Sequence, residues 1–136
     1  MSPEPPPPES PPGAALSPRD RLRANLRMVA ALGATMTYHE AARAIDLAPP
    51  HVIHSVTALL EELMDEDAAL GHPFIAALVV SRLDGLPGLG FFEAAARLAR
   101  FDGEAWSAEA MAWHAAELAL AHAFHAEDPL SGPTWT

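Results

Sequence analysis

A glycine-rich stretch is the first place where this sequence could do chemistry. Residues 85–90 read GLPGLG, after an apolar run at 74–81 and before two phenylalanines. Strand, glycine loop and helix is also the order in which nucleotide-binding proteins hold phosphate. The dinucleotide fingerprint is G-x-G-x-x-G, however, whereas the spacing here is G-x-x-G-x-G, and the chain has no lysine to complete a P-loop. Because Asp-Gly and Pro-Gly are typical turn dipeptides, we interpret this stretch as a turn.

Two pairs of histidines could bind a metal ion. His51 and His54 are three residues apart on one predicted helix, and His122 and His125 are three apart on another. Such a pair lies on one helix face and could supply two ligands. A catalytic zinc site needs a third protein ligand, for which the sequence offers only carboxylates of unknown position. We therefore expect no metal and no cofactor, with these histidines at the surface or at helix ends.

The sequence contains no complete set of groups for nucleophilic catalysis. It has no cysteine, so a thiolate nucleophile and a disulfide are both excluded. Ser55 and Ser81 lack the glycine elbow that exposes a catalytic serine. The sequence thus predicts a protein that is not an enzyme, and a metal-dependent or nucleotide-binding enzyme is the least favoured hypothesis.

A run of acidic residues is the most concentrated charge in the chain. Its carboxylates oppose the dipole of the predicted helix end on which they lie, so a basic partner surface could stabilise them. We predict a partner-binding patch made of Glu61, Glu62, Asp65, Glu66 and Asp67.

Arginines on the first predicted helix are the basic counterpart of this run. They could contact an acidic patch, either within the molecule or on a partner. This set comprises Arg19, Arg21, Arg23 and Arg27.

The overall charge argues against nucleic acid as the main partner. The formal net charge is −10, from 8 arginines and 18 carboxylates. Four of the arginines but only three of the acids fall in residues 1–30, so residues from 31 onward carry four arginines against fifteen acids. Affinity for nucleic acid comes largely from cations on phosphates, which this part of the chain would repel.

The elements that must position these residues are mainly helical. Ser17 followed by Pro18 predicts a helix start, and Gly33 a helix end. Thr37 and Glu40 have the spacing of a capping box, which predicts a second helix directly afterwards. Apolar spacing predicts further helices over 49–67, 91–100 and 102–126, and the short β-branched run 74–81 predicts a buried strand.

The two ends of the chain have a different composition. Residues 1–16 are rich in proline and are predicted to be a disordered tail, since proline blocks helix and ladder hydrogen bonds. Residues 17–128 are predicted to form one domain, and 129–136 a frayed terminus. No signal peptide or membrane-spanning segment is evident, so the expected location is cytoplasmic.

The segment from Met36 to Ile45 resembles the "T-Y-G-E-L-A" start in the winged-helix part of alkylguanine-DNA alkyltransferases and alkyltransferase-like proteins. A longer pattern begins at Thr37-Tyr38, continues through PFIAALVV at 73–80 and PGLGFF at 87–92, and ends at Trp106. It resembles a group of small bacterial proteins with the consensus "TYgelA, RP-lsalVV, G-PG-GFf". The second and third predicted helices, joined by a tight turn, are a helix-turn-helix candidate. Both resemblances agree with a helix-turn-helix followed by a β-wing, and we expect residues 85–90 at the tip of that wing. The reactive cysteine motif of the alkyltransferases is absent, so their chemistry is not implied.

The combined expectation is a mainly α, winged-helix-like helix-turn-helix with a short β-hairpin or strand and a long C-terminal helix. Its expected function is a non-enzymatic protein-interaction or regulatory adaptor, which contacts its partner through the acidic patch and through Leu86 and Leu89 of the loop. The alternative is a DNA-binding regulator that uses the first-helix arginines with His51 and His54. A homodimer could form through the last helix, on a stripe of Trp106, Trp113, Leu120 and Phe124.

Overall fold

A computed structural model describes residues 17–47 and 50–126 of the chain. The predicted tail at 1–16 and the frayed terminus at 129–136 lie outside the described residues. In the described ranges the chain is mainly helical, with five α-helices and a sheet of two short strands. The helices are α1 (Pro18–Ala31), α2 (Tyr38–Ala44), α3 (Val52–Leu70), α4 (Leu89–Arg97) and α5 (Ala108–His125), and the strands are β1 (Met36–Thr37) and β2 (Val79–Val80).

The first two helices begin where the local sequence predicts. The Ser17 hydroxyl accepts a hydrogen bond from the Asp20 amide at 3.1 Å, with Pro18 at the first helical position. The Thr37 hydroxyl accepts from the Glu40 amide at 3.1 Å, while the Glu40 carboxylate accepts from the Thr37 amide at 2.8 Å. The predicted capping box is therefore confirmed, and it fixes the start of α2 directly after β1.

Helix α3 is displaced from its predicted range of 49–67. It begins at Val52, preceded by His51 in a left-handed conformation with φ of 65°, and it continues to Leu70. Gly71, with φ of 72°, then ends it. The acidic run therefore lies one turn before the helix end, because the first residue that readily adopts the left-handed conformation is that glycine.

The apolar run 74–81 is a strand only at its end. Ile75–Leu78 form a 3₁₀ helix, and only Val79 and Val80 pair with another strand. Apolar periodicity does not separate a buried strand from a buried helical turn, and this is why the prediction was too long. The pairing is parallel, Met36 with Val79 and Thr37 with Val80, so the predicted β-hairpin is wrong for these strands.

The last helix starts later than the predicted residue 102. The Ser107 hydroxyl accepts from the Ala110 amide at 3.0 Å and caps α5, which runs to His125. Trp106 precedes the helix with a φ of 59°, so the predicted stripe that included it on one helix is wrong.

The core surrounds the segment from Phe74 to Val80, every residue of which is buried. Helices α1, α3 and α5 all pack against its 3₁₀ turn. An aromatic cluster extends the core, in which the Trp113 ring lies 5.2 Å from Phe101 and 5.6 Å from Phe91 between centroids. The central segment thereby fixes where β2 ends and where the following loop begins. No helix of the described ranges is long and apolar enough to cross a membrane.

Candidate functional site

A groove of about 550 Å³ opens where the two parallel strands end. Because the strands are parallel, the chain leaves both of them at the same edge of the sheet. It continues from β1 into α2 and from β2 into the loop 81–88, while α3 supplies a further wall. The lining residues are Thr37, Tyr38, His39, Glu40, Arg43, Ile53, Ser81, Arg82 and Leu83.

The loop after β2 is a closed turn held by its own hydrogen bonds. The Ser81 amide donates to the Leu86 carbonyl at 2.8 Å, and the Gly85 amide donates to the Ser81 carbonyl at 2.9 Å. Gly85 has a φ of 71°, a conformation that glycine adopts without steric cost. The interpretation of the glycine stretch as a turn therefore holds for its start at Gly85 and Leu86, whereas Gly88 caps α4 and Leu89 and Gly90 are its first residues. The turn holds Arg82 and Leu83 at the groove.

Tyr38 ties this loop to α2. Its hydroxyl oxygen accepts a hydrogen bond from the Gly88 amide at 2.7 Å, and a Cβ on Gly88 would lie only 3.3 Å from that oxygen. Burial raises the pKa of the Tyr38 hydroxyl, and the nearby Asp84 carboxylate adds to this, although the Gly88 hydrogen bond opposes it. At the other side of the loop, the Trp106 indole donates to the Pro87 carbonyl at 3.1 Å.

Glu40 lines the groove, but its carboxylate is already engaged. The hydrogen bond from the Thr37 amide lowers the pKa of Glu40, and the positive charge of Arg43 contributes in the same direction. Glu40 is therefore an ionised cap of α2 that offsets part of the positive charge in the groove.

Arg43 and Arg82 differ from the ion-paired arginines of the described chain. Arg19, Arg21, Arg23, Arg97 and Arg100 each have a carboxylate oxygen within 4.0 Å. Within residues 17–47 and 50–126, neither Arg43 nor Arg82 has such a partner or a side-chain hydrogen bond. Both are exposed and both line the groove, so this edge of an acidic domain presents two guanidinium groups to solvent.

The predicted acidic patch is largely neutralised within the molecule. Glu66 pairs with Arg19 at 3.1 Å and with Arg23 at 2.9 Å, and Asp65 pairs with Arg97 at 3.1 Å. Glu62 lies 3.6 Å from Arg19. Arg19 and Arg23 of the first helix therefore meet the acidic run of α3 inside one chain. This is one of the two arrangements that the sequence left open.

The prediction that Asp67 belongs to the partner-binding patch is wrong, because this residue is only 1% exposed. Its carboxylate accepts from the Arg23 guanidinium at 3.0 Å and from the Ile75 amide at 3.0 Å. A side chain buried in this way cannot contact a partner, so Asp67 does not belong to a partner-binding surface.

Glu61 is half-buried, and its carboxylate lies near the start of α4. A Cβ on Gly90 would lie 3.2 Å from the Glu61 carboxylate and 3.1 Å from the Thr57 methyl group. A carboxylate in the first turn of a helix is favourable because it faces the positive end of the dipole. The chain thus places its own anion at the helix that follows the glycine turn.

Sequence reasoning missed a second buried carboxylate, Glu117. It accepts from the Phe74 amide at 2.7 Å and lies 3.4 Å from Arg100, which in turn donates to the His72 carbonyl at 2.8 Å. His114 adds a 2.9 Å hydrogen bond to the Ala77 carbonyl. Each of these side chains acts across more than 15 residues of sequence, so local spacing carries no signal for them.

The residues predicted for DNA contact do not converge on one surface feature. Arg21 approaches Asp46 at 3.7 Å, and Arg19 and Arg23 are paired with α3. Arg27 lines a separate depression beside Leu70 and His72. His51 and His54 are exposed at the start of α3.

Three leucines of the loop after β2 differ in their exposure. Leu86 is half-buried and Leu89 opens α4 with 46% of its surface exposed. Leu83 is 93% exposed, more than either, and it lines the groove. The exposure of Leu83 could not be predicted from local sequence, because the loop conformation decides which leucine faces solvent.

In the part of the chain that the structure describes, no three potential metal ligands cluster, at the histidine pairs or elsewhere. His122 instead forms a 2.9 Å hydrogen bond with the Ala34 carbonyl, and His125 is buried.

Comparisons with protein-family models, with curated proteins and with solved structures found no match.

Proposed function

We propose that this chain is a non-enzymatic protein-interaction adaptor whose contact surface is the groove at the ends of the two parallel strands. The fold behind it is a winged-helix-like helix-turn-helix of α2 and α3, in which the turn after β2 takes the place of a wing. This proposal keeps the adaptor function expected from the sequence and moves the contact surface away from the acidic run.

The observation that carries the proposal is the composition of the groove. It combines two arginines that have no carboxylate within 4.0 Å with the exposed side chains of Ile53 and Leu83. An exposed leucine supported by a hydrogen-bonded turn loses little conformational freedom on binding, so apolar contact there is favourable. Arginine beside apolar surface is typical of protein interfaces.

The DNA-binding alternative has less support. Its proposed cations Arg19, Arg21 and Arg23 already neutralise carboxylates of the same domain. To contact phosphates they would have to give up these ion pairs, which reduces the net gain from each contact.

A quantitative pull-down tests the proposed function. The tagged full chain is incubated with a lysate and captured proteins are quantified by mass spectrometry, in parallel with the double variant Ile53→Ser, Leu83→Ser. We expect specific partners of the wild type to be lost from this variant. Glu62→Gln, Asp65→Asn is the matched control, because it changes two exposed residues of α3 outside the groove and should retain those partners.

Two outcomes would contradict the proposal. One is retention of the same partners by the groove variant with loss in the acidic-run control, which would place the contact on the acidic face. The other is binding of random duplex DNA by the full chain with an affinity that falls steeply with salt, which is the signature of phosphate contacts.

A further inference from the structure

We infer that the groove binds an acidic segment of a partner protein, in which carboxylates pair with Arg43 and Arg82 and an apolar side chain packs on Leu83. This inference rests on the proposed function and adds the chemical class of the bound segment.

The charges around the groove support an anionic occupant. The domain is strongly acidic, yet Arg43 and Arg82 remain without a carboxylate partner in the described ranges. Glu40 is the acidic residue that lines the groove with them, and its carboxylate is held by the Thr37 amide. Asp84 lies close enough to affect the Tyr38 hydroxyl. An anion that enters the groove therefore meets two arginines that have no carboxylate within 4.0 Å in the described ranges. The Glu40 charge offsets part of the Arg43 charge, but the Glu40 carboxylate accepts from the Thr37 amide at its own helix start.

The positions of the two arginines suit carboxylates. Arg43 comes from α2, one turn after His39, and Arg82 comes from the turn after β2, so the two approach the groove from different walls. Guanidinium groups form paired hydrogen bonds with carboxylates, and such charge-assisted bonds are stronger than neutral ones. Neither arginine has to break an ion pair before it binds.

The dimensions of the groove favour a short peptide over a nucleic acid. A volume of about 550 Å³ accommodates a few side chains. A duplex would extend beyond the groove and bring many phosphates close to a domain of strongly negative charge. Charges closer together than about 10 Å still repel each other at moderate salt, because screening is incomplete at that distance. A short acidic segment carries its charge locally, and the exposed Ile53 and Leu83 would contact its apolar side chains.

A random-peptide library displayed on phage tests the inference. The library is selected on the immobilised full chain and counter-selected on the double variant Arg43→Gln, Arg82→Gln. We expect enriched peptides with at least two acidic residues beside an apolar one. Measured by fluorescence anisotropy, their affinity should fall about tenfold for each arginine removed, as for a charge-assisted hydrogen bond.

Two controls make the result specific. Arg97→Gln removes the same charge from an exposed arginine outside the groove, so binding should stay within about twofold of the wild type, as is usual for a remote surface charge. Peptides with each carboxylate replaced by its amide should lose binding. Circular dichroism establishes that Arg43→Gln, Arg82→Gln remains folded, as expected for exposed side chains.

The inference is overturned if enriched peptides have no acidic bias, or if they bind the double variant as tightly as the wild type. It is also overturned if duplex DNA competes for the same two arginines. If the pull-down loses its partners with Ile53→Ser, Leu83→Ser but keeps them with Arg43→Gln, Arg82→Gln, the proposed function stands and only the acidic nature of the partner is wrong.

Discussion

Two aspartates on one helix, two residues apart, differ in what they do. Asp67 is buried and holds both the Arg23 guanidinium and the Ile75 amide, whereas Asp65 forms an exposed pair with Arg97. A buried charge that loses its partner remains desolvated, while an exposed one is solvated by water. The acidic run therefore contains both a structural anchor and surface charges, although its residues look alike in sequence.

Replacing these aspartates separates the two roles. We expect Asp67→Asn to lower the free energy of unfolding by about 2 to 4 kcal/mol, since Arg23 loses its buried counter-charge. Asp65→Asn is the matched control and should cost less than about 1 kcal/mol. Urea unfolding followed by circular dichroism measures both, and equal losses would contradict the assignment of Asp67 as an internal anchor.

Tyr38 gives the fold a dependence on alkaline pH. Its folded-state pKa is raised above the ordinary value of 10.0, mainly by burial. Above pH 10 the unfolded chain loses the phenolic proton more readily than the folded one, so stability present below this pH falls as pH rises through the folded pKa. Tyr38→Phe should reduce this alkaline loss, and should cost about 1 kcal/mol at neutral pH because the Gly88 amide loses its acceptor.

The chain has one tyrosine, so the ultraviolet absorbance of tyrosinate reports Tyr38 alone. The measurement is a titration of the folded protein and of the urea-unfolded protein. A folded-state midpoint equal to or below the unfolded one would show that the hydroxyl is not buried as described.

At the scale of elements, the capping box at the start of α2 stabilises the helix that forms one wall of the groove. This helix has seven residues and carries His39 and Arg43 into the groove. A helix this short depends on its cap and on packing, since few internal hydrogen bonds are formed. The start of α2 is therefore where a small local change should affect the groove.

We expect Thr37→Ala to cost about 1 kcal/mol of stability, because the Glu40 amide loses its acceptor. The same change should weaken binding of any groove peptide, since Arg43 is less well held. Ser17→Ala removes a comparable cap from α1, and should lower stability without affecting peptide binding. Equal peptide affinity in the wild type and Thr37→Ala would show that the cap does not organise the groove.

Low pH should destabilise the start of α2, where Glu40 completes the capping box. The folded-state pKa of Glu40 is lowered, so the stabilisation it provides is present above the ordinary value of 4.5 and is lost as pH falls through the folded pKa. Unfolding monitored by circular dichroism across this range should show a smaller acid dependence in Glu40→Gln than in the wild type.

At the scale of the whole molecule, the proposed dimer through α5 depends on two exposed side chains. Leu120 and Phe124 are one turn apart and are 55% and 47% exposed, and the Phe124 ring lies 4.6 Å from His72. Trp113, which the sequence placed on the same stripe, is half-buried and packs on Phe101 and Phe91. The dimer stays a prediction, now limited to the last two turns of α5.

Light scattering coupled to size-exclusion chromatography tests the predicted dimer. We expect a dimer that becomes a monomer when Leu120→Gln and Phe124→Gln remove the apolar contact. Met28→Gln, at an equally exposed position of α1, is the control and should leave the mass unchanged. A monomeric wild type at high concentration would contradict the prediction.

The sequence by itself determined the features that depend on residues a few positions apart. The Ser17 and Thr37 caps, the helix end at Gly33 and the turn at Gly85 all follow from side chains and φ preferences within one helical turn. The mainly helical class follows from apolar spacing in the same way.

Only the tertiary structure decided which charged side chains form ion pairs or hydrogen bonds within the molecule and which stay exposed without them. Whether Asp67 meets Arg23, and Glu117 meets the Phe74 amide, depends on packing between segments that are distant in sequence. The parallel pairing of Met36 with Val79 likewise brings α2 and the Ser81 turn to one edge. Arg19, Arg23, Arg97 and Arg100 form ion pairs in the folded chain, whereas Arg43 and Arg82 have no carboxylate within 4.0 Å in the described ranges. This difference depends on which residues are neighbours in space, so it could not be predicted from the sequence.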